Sequence, residues 1–263
     1  MVLKNKNSRL ILPLLLVVNL LTGVKTPDKA NSLPLSEIET RGYLTVGVKD
    51  DIRPLGFRDD TGNLQGLEIE IARYIAEELL GDEQKIELIP VLNQNRLQLV
   101  IDDRVDIVIA SVSVNSSRQR LVDFSDYYFL SGTGIIVKKS AQNDRLGGKI
   151  GVLANSRSID EIQYNLRDVE LVTVKSYQQA YELIEQGKIK GFAGDITVLK
   201  GWQQEYPQYQ ILPRIIGGYP LAVVLPKGRQ YQSLRDEVNR IIRQMKTEGW
   251  LEERIKYWGL DQN

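Results

Sequence analysis

Short apolar runs alternate with amphipathic helical segments from Tyr43 onward, and this alternation constrains the fold more than any other feature. The run from Tyr43 to Val48 predicts a strand, and the segment from Gly66 to Leu80 predicts a helix with one apolar face. A strand at 85–91 and a helix at 96–101 follow, and a further strand ends at Ala110. Because parallel neighbours need a crossover connection, this order predicts an α/β fold with a mainly parallel sheet.

The same alternation resumes after Gly132. Residues 149–153 and 171–174 predict strands, and residues 177–186 predict a helix. The long segment from Gln230 to about Thr247 has apolar residues at helical spacing, as expected of a helix that covers a core. Two alternating sets of strands and helices therefore follow one another along the chain.

The strand that ends at Ala110 changes character at its carboxyl end. Residues 105–110 are almost entirely apolar, as in a parallel strand covered on both faces, and Ser111, Ser113 and Arg118 follow. Open α/β sheets bind their ligands at the carboxyl ends of strands. An arginine fork, hydroxyl groups and free backbone N–H groups suit a carboxylate. The alternative is a serine-rich turn with a solvated arginine.

The pattern Ser111-x-Ser113-x-x-x-x-Arg118, followed by Leu121-Val-Asp-Phe-Ser125 and Tyr127-Tyr128, resembles a known family. It is similar to the amino-acid-binding members of the bacterial extracellular (periplasmic) solute-binding proteins, family 3, which are the capture subunits of ATP-driven ABC importers. The resemblance runs from about Arg41 to Leu260. Its other matching segments are Tyr43 to Val48, Pro54 with Phe57, Gly66 to Ala72, and Gly249 to Leu260.

The resemblance implies a type II periplasmic-binding-protein-like clamp. Each of its two lobes is a mainly parallel sheet flanked by helices, and two crossover strands join the lobes. We assign residues 41–132 and 221–263 to lobe 1 and residues 133–220 to lobe 2. The crossovers are expected near Gly132 and Leu221, and the expected motion is hinge closure around the ligand. The implied partners are an amino acid and a membrane permease, and we expect a monomer.

The resemblance also assigns roles to individual residues. Arg118, with Ser111 and Ser113, corresponds to the group that binds the ligand's α-carboxylate. Asp195 corresponds to the aspartate that binds the α-ammonium group. An alternative that is compatible with this role is that Asp195 caps a helix beginning near Ile196, since aspartate is a favoured N-cap.

A polar turn follows the predicted strand at 149–153. Ser156 stands where the family usually carries a Gly-Thr or Gly-Ser pair that presents N–H groups to the ligand. Asn155 occupies the glycine position, and asparagine tolerates left-handed backbone better than most residues. The resemblance therefore places Ser156 at the ligand.

The resemblance is nearest to the subgroup that binds glutamate and aspartate. Lys49 at a strand end and Arg96 within Asn93-Gln-Asn-Arg96 are the matching cations, and Arg157 is a further candidate for the ligand's side-chain carboxylate. Ile52 stands where many members of the family place an aromatic wall. The alternative is that Lys49 and Arg96 are surface charges that neighbour Asp50, Asp51 and Asp102, since most charged residues lie at the surface.

The composition excludes several classes of function. The chain has 263 residues, with 34 basic and 34 acidic side chains and neither cysteine nor histidine. A net charge of zero gives no basic footprint for nucleic acid. Without cysteine there is no disulfide or thiol chemistry, and without histidine the commonest general base and metal ligand are missing. We therefore predict no catalytic residue, no metal and no cofactor.

Two rival functions stay open at the level of sequence. The first is a membrane-tethered amino-acid sensor, which the sequence does not separate from an importer subunit. The second is a periplasmic dehydratase-like enzyme on the same fold. Such an enzyme would need carboxylates, lysines or tyrosines as its acid and base. No paired set of these residues stands out beyond the predicted ligand contacts.

The first 30 residues predict an export signal. Lys4, Lys6 and Arg9 form a positive region, and the apolar segment 10–21 has the length typical of a signal peptide. This segment is shorter than a typical transmembrane helix. We expect a cleaved signal and a periplasmic or extracytoplasmic location; the alternative is an uncleaved signal that acts as a membrane tether.

Overall fold

The computed structural model describes residues 33–140, 147–154 and 156–261, which belong to one compact unit. The first elements are α1 Leu33–Arg41, β1 Leu44–Val48, β2 Asp51–Ile52, β3 Gly56–Arg58, β4 Leu64–Gln65, α2 Leu67–Leu80, β5 Ile86–Pro90, α3 Arg96–Ile101, β6 Ile107–Ile109, α4 Ser116–Gln119 and β7 Asp123–Lys138. They are followed by β8 Gly148–Leu153, α5 Ser158–Asn165, β9 Val169–Val174, α6 Tyr177–Glu185, β10 Gly191–Asp195, α7 Ile196–Glu205, β11 Tyr209–Ile211 and β12 Ile216–Leu225. A 3-10 turn, Arg229–Tyr231, leads into α8 Gln232–Thr247 and α9 Trp250–Tyr257.

Nine of the described strands form one sheet, in the order β5-β1-β6-β12-β7-β10-β8-β9, with β11 paired to β7. The two ends of the sheet are parallel, because β1 pairs in parallel with β5 and β6, and β8 does so with β9 and β10. The middle is antiparallel, where β12 pairs with β6 and β7. Strands β2, β3 and β4 form a small separate sheet. The predicted α/β fold with mainly parallel strands is confirmed.

The strand β6 is buried on both faces, as its unbroken apolar sequence predicts. Ile107 and Ile109 join the apolar cluster that includes residues of α2 and α8. Val108 faces the other way and packs in a cluster with Val100 of α3. Burying a valine or isoleucine side chain contributes about 1.5–3 kcal/mol, so these contacts fix the strand firmly. The carboxyl end of β6, where the predicted ligand contacts begin, is thereby held in place.

The two long strands β7 and β12 run through the middle of the sheet. The first part of β7 pairs with β12, and its last part pairs with β10 and β11. The register between β7 and β12 shifts opposite Gly132, where Gly217 adopts a φ of 68° that glycine accommodates without strain. The crossover that we predict near Gly132 therefore lies within a continuous strand rather than in a loop.

The structure differs from the sequence prediction at its N-terminal end. We predict a flexible leader at 31–40, but helix α1 begins at Leu33. Ile38 on this helix is buried in the cluster that also contains residues of α8, and Arg41 forms an ion pair with Asp106. Leu35 packs against the same cluster, so the burial of two apolar side chains accounts for a helix that the polar residues of the segment conceal.

The predicted core role of the last helix agrees with the structure. Leu251 is buried, and Trp250, Ile255 and Trp258 pack against the same cluster as α2 and α8. The export signal predicted over residues 1–30 lies outside the described residues, as does Asn155. Of the helices that the structure describes, none has the length and apolar character needed to cross a bilayer.

Candidate ligand-binding site

The turn that follows β6 has an unusual backbone. Ser111 has a φ of 53°, which lies in the left-handed region that residues other than glycine seldom occupy. Its N–H group donates to Glu68 Oε1 at 2.7 Å, and its carbonyl oxygen accepts from Arg96 Nη1 at 3.2 Å. Arg96 Nη1 also donates to the carbonyl oxygen of Ala110. Charged side chains from α2 and α3 therefore hold both sides of this turn.

The guanidinium of Arg118 is held by Ser113, which lies two residues after Ser111. Its Nη1 donates to the carbonyl oxygen of Ser113 at 2.7 Å and to Ser113 Oγ at 2.8 Å. The Asn115 side chain accepts from the Arg118 N–H group at 2.8 Å, and it thereby caps the short helix α4. Burial lowers the pKa of Arg118, and the nearby charge of Arg157 lowers it further. The hydrogen bonds to Ser113 hold this half-buried guanidinium in one orientation.

Lys49 and Arg96 are both buried, so the alternative that treats them as surface charges is wrong. The residues are only 3 % and 7 % exposed, respectively. Lys49 Nζ donates to the carbonyl oxygen of Val91 at 3.1 Å and pairs with Asp51 at 2.8 Å. Burial lowers the pKa of Arg96 to about 10, and the charge of Arg118 adds to this effect. Arg96 therefore lies close to the Arg118 end of the site, whereas the contacts of Lys49 lead toward Asp51.

Asp195 caps helix α7 and also occupies the position predicted for it at the end of β10. Its Oδ1 accepts from the N–H group of Thr197 at 2.8 Å and from Ser131 Oγ at 2.9 Å. Its Oδ2 accepts from the Tyr219 hydroxyl at 2.7 Å. Burial, followed by the charge of Asp195, raises the pKa of Tyr219. The expected capping role is confirmed, and these donors hold the carboxylate in one orientation.

The turn after β8 contributes two of the predicted residues. The Ser156 hydroxyl oxygen is buried and has no hydrogen-bond partner within the described residues. Arg157 is exposed, pairs with Glu161 at 2.8 Å, and places its guanidinium carbon 5.0 Å from the centre of the Tyr219 ring.

Electrostatic contacts connect the groups from the two ends of the sheet. The charge of Arg118 lowers the pKa of Arg96, and the charge of Arg157, which follows β8, lowers the pKa of Arg118. Asp195 raises the pKa of Glu68, which lies on α2. The predicted residues Arg96, Ser111, Ser113, Arg118, Arg157 and Asp195 are thereby brought into one region. The recorded contacts connect neither Lys49 nor Ser156 directly to Arg118 within the described residues.

A cavity of about 270 Å³ lies between the β2 loop and helices α6 and α7, and its lining includes Asp51, Ile52, Arg53, Tyr177, Tyr181 and Trp202. Burial raises the pKa of Tyr177 to about 12, and the charges of Asp195 and Asp51 contribute to this rise. Tyr177 is therefore within electrostatic reach of both Asp195 and Asp51, the partner of Lys49. Aromatic side chains of α6 and α7 thus line this cavity together with Ile52.

Sequence reasoning missed Glu68, Tyr128, Tyr177 and Tyr219, which surround the predicted residues. For Glu68 there was a signal, because it is a charged residue between Leu67 and Ile69 on the apolar side of a helix. Tyr128 belongs to the motif, but the motif gives it no role at the site, whereas Tyr177 and Tyr219 follow no motif, since their positions depend on how β12 and α6 pack. Their contribution is visible only in the folded chain.

Comparisons with known proteins agree with this architecture. The family model of the bacterial extracellular solute-binding proteins, family 3, matches residues 44–261. The glutamine-binding protein GlnH of a Bacillus subtilis ABC transporter is 28% identical over 230 residues, which cover 85% of this chain and 84% of that protein. The L-cystine-binding protein TcyJ of Escherichia coli is 26% identical over 250 residues, which cover 92% of each.

A solved structure shares the fold over nearly its whole length. It is described as an ancestral cationic amino acid solute binding protein and is 25% identical to this chain. The match has a TM-score of 0.74 and covers 85% of this chain and 98% of that one. Together with the family match over residues 44–261, this likeness identifies the type II periplasmic-binding-protein fold. The chain belongs to the bacterial extracellular solute-binding proteins, family 3.

Proposed function

We propose that this chain is the extracytoplasmic receptor of an ABC-type importer and that it captures an acidic amino acid, glutamate or aspartate. The observation that carries the proposal is that the site holds one cationic and one anionic side chain, each fixed in orientation by hydrogen bonds. Arg118 is fixed on Ser113, and Asp195 is fixed by Thr197 and Tyr219. An α-amino acid presents one carboxylate and one ammonium group, and each needs a partner when it leaves water.

Arg118, with the Ser111 and Ser113 hydroxyls, is assigned to the α-carboxylate. A guanidinium supports bidentate, charge-assisted hydrogen bonds to a carboxylate, and Arg118 uses only Nη1 in its recorded contacts with Ser113. Asp195 is assigned to the α-ammonium group. The buried Ser156 hydroxyl is assigned to the same ligand, because it has no partner within the described part of the chain.

Lys49 and Arg96 are assigned to the side-chain carboxylate, with Arg157 as the third cation. Lys49 and Arg96 are only 3 % and 7 % exposed, and buried cations need anionic partners; Asp51, which pairs with Lys49, has a side chain that is 64 % exposed. The names of the relatives do not decide the side chain, since one binds glutamine and the other L-cystine at similar identity to this chain. The acidic ligand is therefore proposed from the residues of this chain.

Capture is proposed to proceed by closure of two lobes, residues 41–132 with 221–263 and residues 133–220. The ligand first docks on Arg118, and bending of β7 and β12 then brings Asp195 onto its ammonium group. A ligand stabilises closure only by binding the closed form better than the open form. Asp195 is therefore the residue that couples binding to closure, and the closed form is the one that the permease receives.

Isothermal titration of the purified chain, refolded to remove carried-over ligand, tests this proposal. The panel is glutamate, aspartate, glutamine, arginine and leucine. Micromolar or tighter binding of the acidic pair alone supports the proposal. A preference for glutamine or arginine would keep the α-amino-acid assignments and contradict the roles of Lys49 and Arg96. Binding of no member of the panel would overturn the function.

A matched pair of variants sharpens the test of specificity. Lys49→Gln removes a buried cation, and it should reduce the preference for glutamate over glutamine by about tenfold, the scale of one charged hydrogen bond. Lys188→Gln makes the same change at an exposed lysine and should leave that ratio unchanged. An unchanged ratio in Lys49→Gln would remove Lys49 from the site.

A further inference from the structure

Glu68 is a buried acid to which neither the motif nor the proposed function assigns a role. It is the second residue of α2, and its exposure is 0 %. Glutamate is almost never fully buried unless it is paired, because removing a carboxylate from water is costly. Its retention inside the apolar cluster under α2 calls for an interaction that an apolar residue could not provide.

The contacts of Glu68 lead directly to the ligand-binding turn. Oε1 accepts from the Ser111 N–H group at 2.7 Å and from the Tyr128 hydroxyl at 2.5 Å. Oε2 is buried and has no hydrogen-bond partner among the described residues. Helix α2 is thus connected by one carboxylate oxygen to the residue that begins the α-carboxylate site.

The backbone at Ser111 needs such support. A left-handed conformation costs a residue other than glycine about 1–2 kcal/mol, and Ser111 adopts it at a φ of 53°. Glu68 accepts from the N–H group of Ser111, while Arg96 donates to the carbonyl oxygens of Ala110 and Ser111. The side chains of Glu68 and Arg96 therefore both form hydrogen bonds with the backbone of this turn.

We propose that Glu68 is a positioning residue for the ligand: by holding the Ser111 N–H group it fixes the left-handed turn that places Ser111, Ser113 and Arg118 around the ligand's α-carboxylate. This inference rests on the proposed function, because it concerns the same site. It also adds a second role for Arg96, whose Nη1 group donates to the carbonyl oxygens of the same turn. Glu68 and Arg96 together then determine the shape of the carboxylate site.

The charged and titratable groups that face Glu68 come from three elements. Tyr128 on β7 and Arg96 on α3 favour the ionised carboxylate, whereas Asp195 on β10 opposes it. Burial outweighs these contacts and raises the pKa of Glu68 to about 7. The hydrogen bond to Ser111 therefore changes strength near neutral pH, since an ionised acceptor binds an N–H group more strongly than a neutral one.

The substitution Glu68→Gln keeps the side-chain shape and the Oε1 acceptor but removes the charge. The affinity for L-glutamate, or for whichever member of the panel binds the parent most tightly, should fall by about tenfold or more, while the chain stays folded. Glu77→Gln makes the same change at an exposed position of α2 and should leave the affinity unchanged. Affinity of Glu68→Gln within about threefold of the parent would overturn the proposal.

The amide proton of Ser111 provides a readout that needs no ligand. In the parent its NMR chemical shift should titrate with a midpoint near the pKa of Glu68, about 7. This titration should vanish in Glu68→Gln and persist in Glu77→Gln. A parent Ser111 amide that does not respond to pH in this range would contradict the assigned contact, whatever the binding data show.

Two further experiments separate a failure of the Glu68 proposal from a failure of the proposed function or of folding. If Glu68→Gln does not fold, Glu68→Asp replaces it, because the shorter side chain withdraws the carboxylate from Ser111 and keeps the charge. Binding by Glu68→Asp within about threefold of the parent would also overturn the proposal. If no member of the panel binds the parent, the proposed function fails, while the Ser111 titration still decides whether Glu68 holds the turn.

Discussion

The carbonyl oxygen of Arg53 lies 2.1 Å from the point where a Cβ atom on Gly201 would stand. Gly201 is on α7, and Arg53 directly follows β2, so this backbone contact exists only because residue 201 lacks a side chain. Two hydrogen bonds flank it: Gln204 donates to the carbonyl oxygen of Trp258 at 2.8 Å, and Lys200 donates to that of Asp261 at 3.3 Å. Helix α7 is therefore joined along one side to segments assigned to lobe 1.

Gly201→Ala should weaken ligand binding without destabilising the fold. The new methyl group would displace the Arg53 carbonyl, which opposes the approach of α7, while alanine favours the helix by about 1 kcal/mol over glycine. We expect affinity for the ligand to fall by about tenfold and ligand-induced compaction in solution scattering to decrease. Gly218→Ala is the matched control, because a Cβ there meets no atom within 4 Å. Equal affinities for the two variants would contradict this reading of the contact.

Arg118→Ala should remove most of the affinity for the ligand. The loss should be roughly 2–5 kcal/mol, the scale for truncating one partner of a buried charge pair. Arg120→Ala, at an exposed arginine directly after α4, should bind like the parent. Titration calorimetry gives both values. The carboxylate assignment fails if Arg118→Ala binds within about threefold of the parent.

Asp195→Asn should act on dissociation more than on association. Asparagine is also a good N-cap, so helix α7 keeps its first hydrogen bond while the charge that meets the ammonium group is lost. If Asp195 engages the ligand only on closure, stopped-flow fluorescence should show a larger rise in the dissociation rate than fall in the association rate. Asp160→Asn, in the first turn of α5 and exposed, should change neither rate. A purely slower association would assign Asp195 to the first encounter.

Glu68 should make the protein less stable as the pH rises. Its pKa is raised from 4.5 to about 7 in the folded chain, so the folded state holds the proton over a range where the unfolded state has lost it. The free energy of unfolding therefore falls between pH 4.5 and about 7, by roughly 3 kcal/mol at 1.36 kcal/mol per pKa unit. Denaturation of Glu68→Gln at several pH values should lack this component, whereas Glu77→Gln should keep it. Parallel curves for the parent and Glu68→Gln would contradict the raised pKa.

The parts of the fold that could be predicted from sequence depend on local pattern. The apolar run before Ser111 predicts β6, and the helix predicted at 96–101 has the bounds of α3. Helix α1 could not be predicted in the same way, because it is anchored by Ile38 and Leu35, which pack against elements far along the chain. The spacing of apolar residues predicts a helix or a strand, whereas the packing of one side chain depends on tertiary structure.

The same distinction applies to the candidate site. Arg118 and Ser113 are five residues apart, so their contact follows from a local motif. The contact of Glu68 with Ser111 spans 43 residues, and that of Tyr219 with Asp195 joins two strands. The sequence also does not show that Arg96 donates hydrogen bonds to the carbonyl oxygens of Ala110 and Ser111. A cation near a predicted site suggests a contact with the ligand instead.

The position of β12 in the sheet has a consequence for the order of folding. This strand lies between β6 and β7, yet it begins only at Ile216, late in the chain. Until it is synthesised, the facing edges of β6 and β7 lack their partner, and the middle of the sheet cannot form. Contacts between residues so distant in sequence are slow to form. We therefore expect the middle of the sheet to form only after residues 216–225 are available to pair with β6 and β7.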